Sequence, residues 1–168
     1  MPRTVTMKGS PLTLEGLELT VGRQAPDFAL AANDLSLKTI KDYAGKVLII
    51  ATVPSLDTGV CYMETRRFNN EIAALSKDIK ILTVSCDLPF AQARWCGAAG
   101  VDKLETLSDY RERSFGRAYG VLIKELMLLS RAVFVVDKNG KTAYAQIVPE
   151  LTDEPDYQAA LDAAKAVV

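Results

Sequence analysis

The chain predicts an α/β domain, with a central mixed β-sheet flanked by helices and an added N-terminal β-hairpin. Three observations carry that expectation. Two largely apolar runs, Lys46–Val53 and Ile79–Cys86, bracket a segment of helical spacing, which makes a β-α-β unit with a right-handed crossover. Ala132–Asp137 and Thr142–Ile147 flank the turn Lys138-Asn139-Gly140, and an Asn-Gly pair between apolar runs signals a hairpin. Tyr157–Val167, entered after Pro155, places Ala, Leu and Val on one side of a closing amphipathic helix.

Each element follows in turn. Thr4–Lys8 and Leu12–Leu14 alternate around Gly9-Ser10-Pro11 as two short strands. Gly22 to Pro26 makes a turn, Asp27–Ala31 is a short strand, and Thr39–Ala44 is one helical turn before the Gly45 stop. Lys46–Val53 is apolar on both faces, which suits a central strand. From Cys61, residues Phe68, Ile72 and Leu75 recur at steps of seven, four and three, one face of a helix ending near Ser76. Asp87 caps a short helix from Pro89 to Cys96, stopped by Gly97. Thr106–Leu107 is a brief strand, and Arg113–Tyr119 a short helix ended by Gly120. Taken together, β-α-β, hairpin and terminal helix are the core plan of a thioredoxin-like fold, expected here as one domain over residues 1–168.

Composition narrows the class. At 168 residues, with 49% apolar and 24% charged residues, the chain is an ordinary globular sequence able to bury a core. Its net charge of −1, with both signs interspersed, is no nucleic-acid footprint and no anionic-membrane patch. The apolar runs are too short to span a bilayer, and MPRTVTMKGS lacks the apolar core of an export signal. The expectation is a soluble, cytoplasmic protein.

Cysteines supply the chemistry. Three are present, Cys61, Cys86 and Cys96, with no histidine and no Cys-x-x-Cys pair. That count is not a disulfide scaffold, it gives no zinc ligand set, and it argues against an ordinary dithiol reductase. No cofactor and no metal are expected. Cys61 stands in the first turn of a helix that follows a buried strand, where unpaired N–H groups and the helix dipole favour a thiolate. Thr58 is a plausible N-cap, three residues before Cys61, and Pro54 ends the strand ladder at a defined place. By itself Cys61 is equally compatible with a small buried core residue.

The residues Pro54, Thr58 and Cys61 match Pro-x-x-x-Thr-x-x-Cys, which resembles the peroxidatic signature of peroxiredoxins. VPSLDTGVC, followed by RRFN, DLPFAQARWCG and RAVFVVD, is similar to the thiol peroxidase branch of atypical two-cysteine peroxiredoxins. The similarity runs from the N-terminal hairpin to EPDYQAALDAAK. It implies that Cys61 is the peroxidatic cysteine, that Thr58 orients peroxide and thiolate, and that Pro54 shields the sulfur. It places Arg131 as the active-site arginine, although a lone arginine at that strand end would more often be an exposed cation. Cys96 falls on the resolving cysteine. Cys86 departs from the usual pattern and is read as a buried, structural thiol, with a rival resolving role open.

The implied cycle reduces hydrogen peroxide or organic hydroperoxides through a Cys61 sulfenic acid and an intramolecular Cys61–Cys96 disulfide, with thioredoxin as reductant and a homodimer as the assembly. Two cysteines in separate helices imply local unravelling, because a disulfide needs α-carbons roughly 4.4–6.8 Å apart. The proton for the departing oxygen has no side-chain source in this reading, which leaves it to solvent. Leu56, Val60 and Met63 around the loop suit organic substrates and core packing equally. Two other classes remain: a thiol-disulfide oxidoreductase without peroxidase activity, weakened by the missing Cys-x-x-Cys, and a non-catalytic interaction module, which would not need Pro54, Thr58, Cys61 and Arg131 together.

Overall fold

The structure, a computed structural model, describes residues 2–168. Its frame is a seven-stranded mixed sheet and a smaller four-stranded antiparallel sheet. The smaller sheet begins with β1 (Arg3–Met7) and β2 (Ser10–Glu15). Their turn is Lys8-Gly9, with φ of 51° and 83°, so Ser10 and Pro11 belong to β2 rather than to the connection. A two-residue turn with both φ positive matches the natural twist of a hairpin.

The seven-stranded sheet has β5 (Val47–Thr52) and β6 (Ile79–Ser85) at its centre, paired in parallel. All six residues of β5 are buried, as the continuous apolar run requires. Val47, Ile49 and Ala51 point into one core, and Leu48 and Ile50 into the other. β7 (Glu105–Ser108) extends the sheet beside β6, followed by β3 (Leu30–Ala31) and β4 (Leu37–Lys38) at that edge. On the other side β10 (Ala132–Val136) runs antiparallel to β5, and β11 (Thr142–Ile147) closes the sheet. Only the end of the expected 27–31 strand pairs.

Helix α1 (Gly59–Glu71) continues into a 3-10 turn at Ile72–Ala74. It shares one sheet face with α4 (Tyr157–Ala166) and part of α2 (Pro89–Ala99), where Phe68, Leu161, Ala164 and Trp95 pack on Ile49, Ile81 and Val133. Complete burial of a residue such as Phe68 contributes about 1.5–3 kcal/mol. The opposite face is covered by α3 (Ser114–Ala118) and the 3-10 turn Ile40–Tyr43, through Phe115, Tyr119 and Tyr43.

Two corrections to the expected elements bear on function. First, α2 does not stop at Gly97. It runs to Ala99, because Ala98 and Ala99 are good helix formers and Gly100, at φ 69°, supplies the left-handed cap. Second, three short strands were not expected: β4 at the edge of the larger sheet, and β8 (Leu122–Ile123) and β9 (Leu128–Leu129), which add to β2 and build the smaller sheet. Among the described residues, no helix is long and apolar enough to cross a membrane.

Candidate active site

The site forms at one end of the central sheet, where β5 and β6 release the chain and β10 takes it up. After β5, Val53 donates its N–H to the Val84 carbonyl at 3.0 Å, so the chain leaves the sheet only at Pro54. The next turn is held from β6. Asp87, just past that strand, accepts from Ser55 Oγ at 2.7 Å and from the Leu56 N–H at 2.8 Å, while Ser85 Oγ donates to it at 2.7 Å. These donors explain why Asp87 does not cap α2, as the sequence leads one to expect. The N-cap position falls on Leu88 instead, without a side-chain hydrogen bond, and Pro89 opens the helix where no N–H is needed.

Thr58 is the N-cap of α1, in extended backbone, and its Oγ1 accepts from the Cys61 N–H at 3.4 Å. The cap sets where the helix starts, and the start sets which residues face inward. Cys61, Glu64, Thr65, Phe68 and Asn69 are the buried ones, the i, i+3, i+4, i+7, i+8 stripe of a helix against a core. Cys61 is 0% exposed and packs with Val53, Leu56 and the half-buried Trp95 of α2. The thiol is therefore covered, because α2 lays Trp95 over the first turn and Trp95 meets the Tyr62 ring edge-on at 5.5 Å.

Arg131 reaches the same place from the other strand. It precedes Ala132, which pairs with Thr52, the last residue of β5. Its backbone neighbourhood is fixed from both sides: Thr52 Oγ1 donates to the Ser130 carbonyl at 2.6 Å, and the Val148 N–H to the Arg131 carbonyl at 2.9 Å. The side chain is only 2% exposed, and each guanidinium nitrogen has a task. Nη2 donates to Cys61 Sγ at 3.1 Å, Nη1 to Glu64 Oε2 at 2.6 Å, and Nε to the Leu151 carbonyl at 3.0 Å. An exposed strand-end cation is thus not what the fold makes of this residue.

The Leu151 carbonyl is itself held. Leu151 donates its N–H to the Thr6 carbonyl at 2.8 Å, and Glu150 accepts from Thr6 Oγ1 and from the N–H groups of Lys8 and Gly9. The N-terminal hairpin therefore clamps the loop that orients Arg131. Hydrogen bonds from Thr152 and Gly9 hold the Glu150 carboxyl down at about 2.

Electrostatics separate the groups. Burial pushes the Glu64 carboxyl up to about 7, against the pull of Arg131. Burial also works against the Arg131 charge, but the Cys61 and Glu64 partners outweigh it and the guanidinium is held even more firmly protonated. The guanidinium at 3.1 Å places a fixed cation beside the Cys61 sulfur.

The other two cysteines lie elsewhere. Cys86 is buried at the end of β6, and burial followed by the nearby Asp109 charge raises its thiol to about 12. Cys96 is half-buried on α2, with Sγ 3.6 Å from Thr106 Oγ1, beside a groove of about 620 Å³ lined by Asn33, Lys80 and Thr106. Burial raises its thiol as well. All three thiols are free. The structure thus brings Thr58, Cys61 and Arg131 together at the end of Pro54's loop, and leaves Cys96 on a different helix with other partners. Sequence reasoning missed Glu64, Asp87 and Trp95. Glu64 alone left a usable signal, a carboxylate one helical turn after Cys61 on the buried stripe.

Among the described residues no cluster of three or more potential metal ligands occurs. An α/β sheet here presents a buried sulfur to a buried guanidinium, and comparison with known proteins places that arrangement among the thiol-dependent oxidoreductases. The sequence matches the Redoxin family over residues 20–161. It is 58% identical to a thiol peroxidase of Bacillus subtilis, covering 98% of each chain. It is 57% identical to a thiol peroxidase of Oceanobacillus iheyensis, covering 94% of this chain and 95% of that one. A crystal structure of a peroxiredoxin-like protein from Aquifex aeolicus superimposes with a TM-score of 0.92 at 45% identity, over 100% of this chain and 99% of the other. The chain belongs to the redoxin family, among its thiol peroxidases, whose reaction is the thiol-dependent reduction of peroxides.

Proposed function

We propose that Cys61 is the peroxidatic cysteine, activated by Arg131 and positioned with its substrate by Thr58. The observation that carries this reading is the 3.1 Å contact between Sγ and a fully buried guanidinium. The thiolate attacks the terminal oxygen of a hydroperoxide, and a sulfur–oxygen bond forms as the oxygen–oxygen bond breaks. Sulfur is oxidised to sulfenic acid and the peroxide is reduced to an alcohol or water. Arg131 polarises the departing oxygen, and Pro54 shapes the loop that keeps solvent from the sulfur.

Cys96 is the resolving cysteine. The Cys96 thiol attacks the Cys61 sulfur, the sulfur–sulfur bond forms as the sulfur–oxygen bond breaks, and the hydroxyl leaves as water with the Cys96 proton. Cys96 contacts Thr106 and Cys61 contacts Arg131, so closure requires α2 to unwind and carry Trp95 off the Cys61 sulfur. A dithiol protein, thioredoxin, restores both thiols by exchange. Cys86, buried and with its thiol raised to about 12, is structural. The chain acts as one domain over residues 1–168, in a homodimer, in the cytoplasm.

The test is peroxide consumption with thioredoxin as electron donor, comparing the unmutated protein with Cys61→Ser, Cys96→Ser and Cys86→Ser. The first substitution abolishes turnover. The second abolishes thioredoxin-dependent turnover while leaving one round of sulfenic acid formation, and the third leaves turnover intact. Full turnover in Cys61→Ser would end the reading. Mapping of the disulfide after peroxide treatment by mass spectrometry checks the Cys61–Cys96 pairing.

A further inference from the structure

Arg131 serves two acids. Cys61 and Glu64 stand three residues apart on the buried stripe of α1, and each takes one nitrogen of the same guanidinium, Sγ on Nη2 and Oε2 on Nη1. Glu64 is 0% exposed, and its second oxygen, Oε1, is buried with no hydrogen-bond partner. A lone buried ion pair would leave that oxygen an unsolvated anion, a state that costs several kcal/mol. A carboxylic acid, with its proton on Oε1 and its other oxygen accepting from Arg131, relieves that cost.

We propose that Glu64 is a positioning residue that competes with the Cys61 sulfur for the single buried charge of Arg131. When sulfur is the anion, Glu64 is the neutral acid. When sulfur loses its charge, Glu64 takes the guanidinium and gives up its proton. The inference rests on Cys61 being the reacting sulfur. Elevation of the Glu64 carboxyl to about 7 by burial puts this exchange at neutral pH. The other groups facing Glu64 act in the same sense. Glu154, ahead of α4, raises it through its own charge, and Tyr157 of α4 donates its hydroxyl to Glu154 at 3.1 Å. Arg67 of α1 is engaged elsewhere, over the Tyr157 ring at 5.1 Å and paired with Glu71. Arg131 is the one cation bonded to both acids.

The exchange closes the proton balance of the peroxide step. A Cys61 thiolate, a Glu64 acid and a hydroperoxide become a Cys61 sulfenic acid, a Glu64 carboxylate and an alcohol. The oxygen–oxygen bond breaks, the sulfur–oxygen bond forms, and the proton lost by Glu64 is in net balance the one gained by the departing oxygen.

Iodoacetamide labelling of Cys61 against pH, followed on the Cys61 peptide by mass spectrometry, tests this without peroxide. Glu64→Gln keeps an oxygen for Arg131 to hold but removes the competing charge, so labelling shifts to lower pH and is roughly tenfold faster at about pH 5. A merely structural role predicts the opposite, since a loosened Arg131 would move labelling to higher pH. An unchanged or upward-shifted profile in a folded Glu64→Gln protein overturns the proposal. Infrared difference spectra of the unmutated protein provide a second measurement. Alkylating Cys61 removes the sulfur charge, so a protonated-carboxyl band is lost at about pH 7; no change in that band also overturns it. Full peroxide turnover in Cys61→Ser would instead remove the assignment on which the inference stands, so the two failures are distinct.

Discussion

The helices that carry Cys61 and Cys96 are held to the same sheet in opposite ways. Helix α1 starts at a threonine cap and buries a continuous stripe from Cys61 to Asn69. Arg131 ties that stripe to β10 through both Cys61 and Glu64. Helix α2 starts without a side-chain cap, buries only Pro89 and Gln92 fully, and carries a glycine, Gly97, in its interior. Gln92 is its buried polar anchor, donating to Ser85 Oγ at 3.0 Å and to the Leu107 carbonyl at 2.8 Å. Beyond Gln92, the half with Trp95 and Cys96 rests on partial apolar packing and the Thr106 contact. The difference teaches a division of labour. In the proposed cycle, the sulfur that meets the oxidant is fixed in advance, whereas the sulfur that travels sits on the part of the fold easiest to release.

The largest effect that would break this contrast comes from the fixed side. Arg131→Met leaves Glu64 buried without its cation, which costs about 3–5 kcal/mol when Glu64 is charged. The sign depends on pH. The Glu64 carboxyl already sits above its ordinary 4.5 in the folded protein, and without Arg131 it rises further. A group raised on folding costs nothing below its unfolded value and progressively more as pH climbs toward its folded one. Urea denaturation of Arg131→Met at about pH 5 and pH 8 is therefore expected to show the greater loss at the higher pH. The double variant Arg131→Met with Glu64→Gln recovers much of that pH-dependent part. Equal losses at both values would mean that the pair is not what fixes α1.

A smaller effect separates the two helices. Gln92→Ala removes the buried donor to the Leu107 carbonyl and to Ser85 Oγ, which keeps its bond to Asp87, a loss of about 1–3 kcal/mol. Amide exchange is expected to quicken along α2 and stay slow along α1. If both helices loosen together, they are one cooperative unit and the contrast fails.

How far the sequence revealed this arrangement follows from how local each signal is. The start of α1 was legible because Thr58 and the apolar steps after Cys61 lie within one segment. The central strands were legible because a strand buried on both faces must be apolar throughout. Strands β8 and β9 were not, since each has two residues and exists only by pairing with β2. Asp87 looked like a cap because it precedes a helix. Ser55 and Leu56, 32 and 31 residues earlier in the chain, claim its carboxylate instead. Arg131 was reached only through resemblance, because nothing near it in sequence says that β10 begins beside Cys61. Glu64 lies one helical turn after Cys61 on the expected stripe, but a carboxylate on a helix is normally solvated, and only the fold gives this one a buried guanidinium for company.

The smallest change sharpens the contrast most. Gly97 lies inside α2, exposed, and a Cβ built there meets nothing within 4 Å. Gly97→Ala therefore adds helix stability without new contacts, by about 0.5–1 kcal/mol. A fixed Cys96 would be indifferent to that gain, or helped by it. A Cys96 that must leave its helix has to overcome it, so disulfide formation slows by up to about fivefold while sulfenic acid formation at Cys61 is unchanged. The chain has one tryptophan, Trp95, and it packs over Cys61. Its fluorescence in stopped flow reports the release of α2 directly, after rapid mixing with peroxide. The expected record is an unaltered first phase and a slowed second phase in Gly97→Ala. A second phase as fast as in the unmutated protein would mean that Cys96 reaches Cys61 without unwinding α2 around Gly97.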